Sequence, residues 1–96
     1  MNLENTLQGH EDRVWCVSWC PTSPNGALIL ASASSDKKIK IWVKNAGSNE
    51  WLCLCTLDDG HTKTIRHLAW SPQGNLLASA SFDGSTCIWR RDQTDG

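Results

Sequence analysis

Leu30-Ala31-Ser32-Ala33-Ser34-Ser35-Asp36 returns 47 residues later as Leu77-Ala78-Ser79-Ala80-Ser81-Phe82-Asp83, and this doubled stretch decides the fold. Downstream, Ile41-Trp42 returns at the same offset as Ile88-Trp89. Upstream, Gly9-His10 is answered by Gly60-His61. Val14, Val17, Trp19 and Pro21 are likewise answered by Ile65, Leu68, Trp70 and Pro72, all 51 residues apart. The two offsets differ because the first copy carries a longer loop, Thr22 to Ala27, with the turn signal Pro24-Asn25-Gly26. Duplicated units diverge most readily in such turns, where insertions disturb no packed face. Self-similarity at this period is the signature of repeat architectures.

Within each copy the segments are short and β-like. Val14–Trp19, Leu28–Ser34 and Lys38–Val43 read as strands, and Ile65–Trp70, Asn75–Ser81 and Ser85–Arg90 as their equivalents. Trp51–Leu57 reads as a fourth strand, with Trp51, Cys53, Cys55 and Leu57 on one face at period two. Turns such as Pro72-Gln73-Gly74-Asn75 and Asp83-Gly84 separate them. No segment sustains a helical period. The reading is therefore all-β.

Composition narrows the function. Nine Lys and Arg stand against ten Asp and Glu, a net charge of −1. Nucleic-acid grooves and polybasic membrane patches both need clustered positive charge, so neither is expected. No apolar run approaches the roughly 18–20 residues that span a bilayer, and Met1 to His10 has no apolar signal-peptide core. The five cysteines, Cys16, Cys20, Cys53, Cys55 and Cys87, read as free buried thiols of a reducing compartment. Six tryptophans in 96 residues imply a repeated packing role. A chain this short buries only about 60–65% of its unfolded surface, so its core is marginal.

Each copy also holds His, Ser, Asp and Trp in fixed order: His10, Ser34, Asp36 and Trp42, then His61, Ser81, Asp83 and Trp89. An Asp in a tight turn bonds local backbone. A hydrogen-bonded chain of these four would tie turn, strands and incoming loop together, as a small sheet with little core requires. A Ser-His-Asp set also invites a hydrolase reading, but the Ser lies inside a strand without elbow glycines, and the set occurs twice. The structural network is the better reading.

These residues resemble the WD-repeat family: Gly9-His10, Ser34-Ser35-Asp36 and Ile41-Trp42 in one copy, Gly60-His61, Ser81-Phe82-Asp83 and Ile88-Trp89 in the other. The resemblance runs from about Leu3 to Arg91. It departs where Val43 and Arg90 follow the tryptophans, a position that varies in the family. Glu50-Trp51-Leu52-Cys53, Asp59-Gly60-His61, Thr64-Ile65-Arg66, Ala69-Trp70-Ser71-Pro72 and Thr86-Cys87-Ile88-Trp89 are similar to the opening repeats of the WD-repeat scaffolds of cytosolic iron–sulfur protein assembly. That resemblance implies β-propeller blades and a non-enzymatic adaptor bringing cluster-loading machinery to cytosolic and nuclear apo-proteins. It implies protein partners among cluster-targeting subunits, and a cytoplasmic location with the nucleus also open.

No cofactor and no metal site are expected. Cys53 and Cys55 are two apart on a strand, unlike the Cys-x-x-Cys loops of zinc and cluster sites, and no second pair completes four ligands. Lys37-Lys38-Ile39-Lys40 reads as a solvated strand face, and Arg90-Arg91 is balanced by Asp92 and Asp95. The family resemblance places partner binding where inner strands begin and where Ser-x-Asp turns cap a blade. The candidates there are Arg13, Trp15 and Ser35, then Thr64, Arg66 and Phe82. Ordinary surface or inter-blade packing is the equal alternative for each. Arg, Trp and Phe anchor interfaces.

The offset between sequence repeat and structural blade divides the chain as follows. Residues 1–7 form an N-terminal outer strand (Asn2–Leu7), residues 8–57 a complete four-stranded blade, residues 58–91 a three-stranded blade lacking its outer strand, and residues 92–96 a polar tail. An orphan strand and a vacant edge are complementary between copies, so identical chains could close a ring. A tetramer of eight blades is favoured over a trimer of six, with a piece of a longer propeller or a monomer as the remaining alternatives. A self-assembling two-blade unit without a retained partner is the alternative function.

Overall fold

The computed structural model describes residues 1–23 and 26–91. Pro24 and Asn25 of the long loop and the tail expected at 92–96 lie outside the described residues. Among the described residues seven strands form: β1 (Val14–Trp19), β2 (Leu28–Ser34), β3 (Ile39–Lys44), β4 (Leu52–Leu57), β5 (Ile65–Trp70), β6 (Leu76–Ser81) and β7 (Thr86–Arg90). They make two antiparallel sheets, β1-β2-β3-β4 and β5-β6-β7, each a meander in chain order. The all-β expectation and the two-blade division of the strands agree with this topology.

The core lies between the sheets. Ile29, Ala31, Ala33, Ile39 and Ile41 of the first sheet meet Ile65, Leu68 and Leu77 of the second, with Trp70 and Trp89 packed against them. The alanines of β2 are fully buried because β5 passes close by, and a larger side chain would hold the sheets apart. The outward faces are different. Val17 and Trp19 on the first sheet and Ile88 on the second are more than half exposed, so each sheet keeps one apolar face uncovered.

Three expectations are corrected. Residues 2–7 form no strand. Gly9 lies against Trp42 and Lys40 of β3, which anchors this segment to the first sheet, and β4 already occupies that sheet's outer edge. Among the described residues the open outer edge is that of β7, in the other sheet. Second, β4 does not keep strict alternation. Its register against β3 slips between Ile41 and Trp42, which leaves Leu54 as an extra, unpaired residue. Third, none of the five thiols is fully buried: Cys16, Cys20 and Cys87 are half-buried, and Cys53 and Cys55 are exposed, because β4 is an edge strand with no further strand beyond it among the described residues. No disulfide links the five cysteines.

Candidate functional site

The tight turn after β2 is the anchor of each sheet's upper end. Ser35-Asp36-Lys37 links β2 to β3 and Phe82-Asp83-Gly84 links β6 to β7, each closed by an i to i+3 backbone bond, Lys37 N–H to Ser34 and Gly84 N–H to Ser81. The last loop residue is left-handed, with φ 70° at Lys37 and 88° at Gly84. A three-residue hairpin of this kind needs that conformation.

A hydrogen-bonded chain runs beneath the first turn. The Trp42 indole N–H can only donate, and it donates to Ser32 Oγ at 2.9 Å. The Ser32 hydroxyl then donates to His10 Nε2 at 2.7 Å. This leaves the proton on His10 Nδ1, which faces Asp36 Oδ2 at 2.9 Å. Asp36 also accepts the backbone N–H groups of Glu11 and Lys38. In the second sheet Trp89 donates to Ser79 at 2.9 Å and Ser79 to His61 Nε2 at 2.7 Å. There His61 Nδ1 reaches Ser85 Oγ at 3.0 Å, and the Ser85 hydroxyl donates to Asp83. His61 to Asp83 directly is 3.5 Å. Ser85 stands where the first copy has Lys38, whose ammonium turns outward to Glu11 at 3.0 Å.

Ser34 and Ser81 are therefore not links in the chain. Each caps its own turn: the hydroxyls accept the N–H of Asp36 and Asp83 at 3.1 Å, and Ser81 donates to Thr64 O. The bridging serines are Ser32 and Ser79, two residues earlier. Sequence spacing could not separate two serines of one alternating run, because the choice depends on which one the cross-strand register sets beside the tryptophan. Ser85 was missed for another reason: the first copy has a lysine at its position.

Both carboxyls sit below their ordinary value of 3.8. Burial raises Asp36, but the bonds from His10, Glu11 and Lys38 outweigh it. For Asp83 the Ser85 hydroxyl and the Thr62 N–H lower it further than Asp36. Among the described residues no buried side-chain polar atom lacks a partner. These groups are committed to holding the turns, and the serine hydroxyls are directed into the chain, away from any approaching substrate.

A second constellation sits on the surface of the same end. Both inner strands carry a β-bulge at the equivalent place. The register of β1 slips between Val14 and Cys16, and that of β5 between Ile65 and His67. The extra residues are Trp15 and Arg66. A bulge re-aims its unpaired side chain. Trp15 Nε1–H donates to Ser35 Oγ at 2.5 Å, and the Arg66 guanidinium lies 5.1 Å from the Trp15 ring centre and 4.9 Å from that of Phe82. One cation thus joins the two repeats across their upper ends. The aromatic pair stays open to solvent, Trp15 44% and Phe82 56% exposed. Arg13 and Thr64 precede the strands, and their carbonyls accept the N–H of Ser35 and Phe82. Of the six candidate surface residues, the structure brings Trp15, Ser35, Arg66 and Phe82 together. Arg13 and Thr64 contribute backbone.

Other possible sites hold less chemistry. A cavity of about 330 Å³ opens between the sheets, lined by Ile29, Ile41, Leu54, Leu57, Leu77 and Trp89 among others. It contains neither carboxylate nor imidazole for acid–base work. Cys16 Sγ and His67 Nδ1 approach to 3.8 Å across the inner strands. No third ligand joins them, and among the described residues no group of three or more His, Cys, Asp or Glu could hold a metal. No helix of the described residues is long and apolar enough to cross a membrane.

Comparison with known proteins agrees with the repeat. The family model described as WD domain, G-beta repeat matches residues 1–43 and again 51–90. The chain belongs to this family. It is 49% identical over 87 residues to "Protein CIA1" of Arabidopsis thaliana, covering 88% of this chain and 25% of that protein. It is 46% identical over 91 residues to the "Probable cytosolic iron-sulfur protein assembly protein Ciao1" of Culex quinquefasciatus, covering 95% and 25%. It is 40% identical over 97 residues to the "Probable cytosolic iron-sulfur protein assembly protein 1" of Yarrowia lipolytica, covering 99% and 27%. The chain spans about a quarter of the length of these curated relatives. The similarity to cytosolic iron–sulfur protein assembly proteins is thus found among relatives as well as in the motifs.

Proposed function

We propose that this chain supplies part of the partner-docking face of a non-enzymatic WD-repeat scaffold acting in cytosolic iron–sulfur protein assembly. One observation carries the docking reading. Two bulges at equivalent positions turn Trp15 and Arg66 out of their ladders and set them, with Phe82, as an exposed cluster over the junction of two blades. Tryptophan and arginine dominate interface hot spots, and an exposed aromatic cluster at the end of a rigid sheet is where such anchors belong. The iron–sulfur context rests on the names of the relatives. The partners are cluster-targeting proteins, and the place of action is the cytosol, with the nucleus included if the client proteins are nuclear.

The test is a graft. The matched quarter of the Arabidopsis relative is replaced by this chain, in cells that depend on that relative. Activity of cytosolic iron–sulfur enzymes should be restored, and it should fall when the graft carries Arg66→Glu with Phe82→Ala. Full activity in the double variant would remove the proposed face.

A second reading is self-assembly of two-blade units into a ring of four or three copies. The open β7 edge and the exposed Val17, Trp19 and Ile88 favour it. Light scattering behind a sizing column separates the two: a stable monodisperse monomer speaks against ring closure by copies.

A further inference from the structure

The docking face is chemically biased, and the bias goes beyond the proposal that it binds proteins, on which this inference rests. We propose that the face recognises an acidic protein segment, with an Asp or Glu side chain received by the Arg66 guanidinium.

The state of Arg66 among the charges at this end carries the argument. Asp36 and Asp83 are held by backbone N–H groups and by His10 or Ser85, so they are spent on the turns. Glu11 is paired with Lys38 at 3.0 Å, and Asp12 accepts the N–H of Arg13. Among the described residues no carboxylate pairs with Arg13, Lys37, Lys63 or Arg66. Asp58 and Asp59 follow β4 at the same end and are exposed, so this end as a whole is not positive; what counts for Arg66 is that it is a cation with no carboxylate within pairing distance among the described residues.

Arg66 is a cation held in place. Long surface cations lose side-chain freedom when they pair, and that cost cancels much of the gain. Here the two rings have already fixed the guanidinium. Contact with an aromatic ring uses the flat face of the group and leaves its N–H donors in the plane, in the fork that matches a carboxylate. None of those donors has a partner among the described residues. Trp15 is braced in turn by its bond to Ser35. A preorganised donor with no internal acceptor fits one planar anion with an apolar stem that can lie on Trp15 and Phe82. A single arginine, not a cluster, fits a carboxylate better than a phosphate.

The probe is a displayed library of random seven-residue peptides, panned on the whole chain and then on its variants. The expected result is enrichment of peptides with Asp or Glu. Their dissociation constants should rise about tenfold or more on Arg66→Gln, as for loss of a charge-assisted hydrogen bond, and should rise with salt. Arg66→Glu should invert the preference toward Lys and Arg. Near-ultraviolet tryptophan dichroism reports whether each variant is folded, and Lys40→Gln, remote from the face, is the control. Enriched peptides without acidic residues that are lost on Trp15→Ala or Phe82→Ala would overturn the carboxylate and leave the docking face standing. Enrichment indifferent to all three positions, or no enrichment, would overturn both. Replacing the acidic residue by phosphoserine and gaining affinity would assign the site to phosphate and also overturn the proposal.

Discussion

The two blades use one plan with different fittings. In the first, His10 meets Asp36 directly; in the second, Ser85 is interposed between His61 and Asp83. In the first, the bulge residue is Trp15, bonded to Ser35; in the second it is Arg66, packed on Phe82. Gly84 takes the left-handed turn position in one, and Lys37 is forced into it in the other. The inner face of the plan, Trp to Ser to His, is repeated nearly atom for atom, with 2.9 and 2.7 Å bonds in both copies. These differences lie at the turn end. The lesson is that the buried chain fixes the blade, and the residues just outside it are available for differences in binding.

The comparison can be broken first at the glycines. A methyl group on Gly60 would stand 2.4 and 2.7 Å from the Trp89 ring, whereas on Gly9 its nearest neighbour is Trp42 at 3.1 Å. Gly60→Ala should destabilise by about 2–3 kcal/mol, as overpacking does, and Gly9→Ala by less than about 1 kcal/mol. Urea unfolding of both variants checks this. Equal losses would mean that the two entry loops are not set differently.

Next come the serines. Ser32→Ala leaves a buried Trp42 N–H and a buried imidazole nitrogen without partners, which costs about 1–3 kcal/mol. Ser34→Ala only uncaps a turn and should cost about 1 kcal/mol or less. The order would reverse if Ser34 were the link.

Acid then compares the carboxyls. Both aspartates have folded-state values below their ordinary 3.8, so their contribution to stability is complete above that pH and is lost as pH falls through the folded values. The urea midpoint should drop below about pH 4. Asp83→Asn should flatten that drop more than Asp36→Asn, because Asp83 is held further down.

The smallest effect is at the turn. Lys37→Gly relieves a left-handed lysine and should raise stability by about 0.5–1 kcal/mol. No gain would mean that the lysine's contacts compensate for its backbone.

The repeat was readable from sequence because its signals are local: apolar alternation, turn residues and the Gly-His and Ser-x-Asp spacings. Strand limits came within a residue, and even there the structure is informative. Lys38 and Ser85 fall outside β3 and β7 because their N–H groups serve the aspartates. What was not readable depends on register. Ser32 is distinguished from Ser34 only by what lies across the strand, and Leu54 becomes a bulge only against β3. The surface candidates were named one by one, but nothing in their spacing indicated that Arg66 would lie over the aromatic residues of both repeats. The expected strand at Asn2–Leu7 failed for a related reason: strand propensity does not supply a partner edge.

The central claim is that the bulge residues dock partners while the buried chains hold the blades. Its most direct test is the graft carrying Arg66→Glu with Phe82→Ala, followed in parallel by thermal unfolding and by co-purification of the proteins retained by the unaltered graft. Loss of those proteins with an apparent melting temperature within about 5 °C of the unaltered graft is the predicted result. Retention of the proteins by the folded double variant would contradict it.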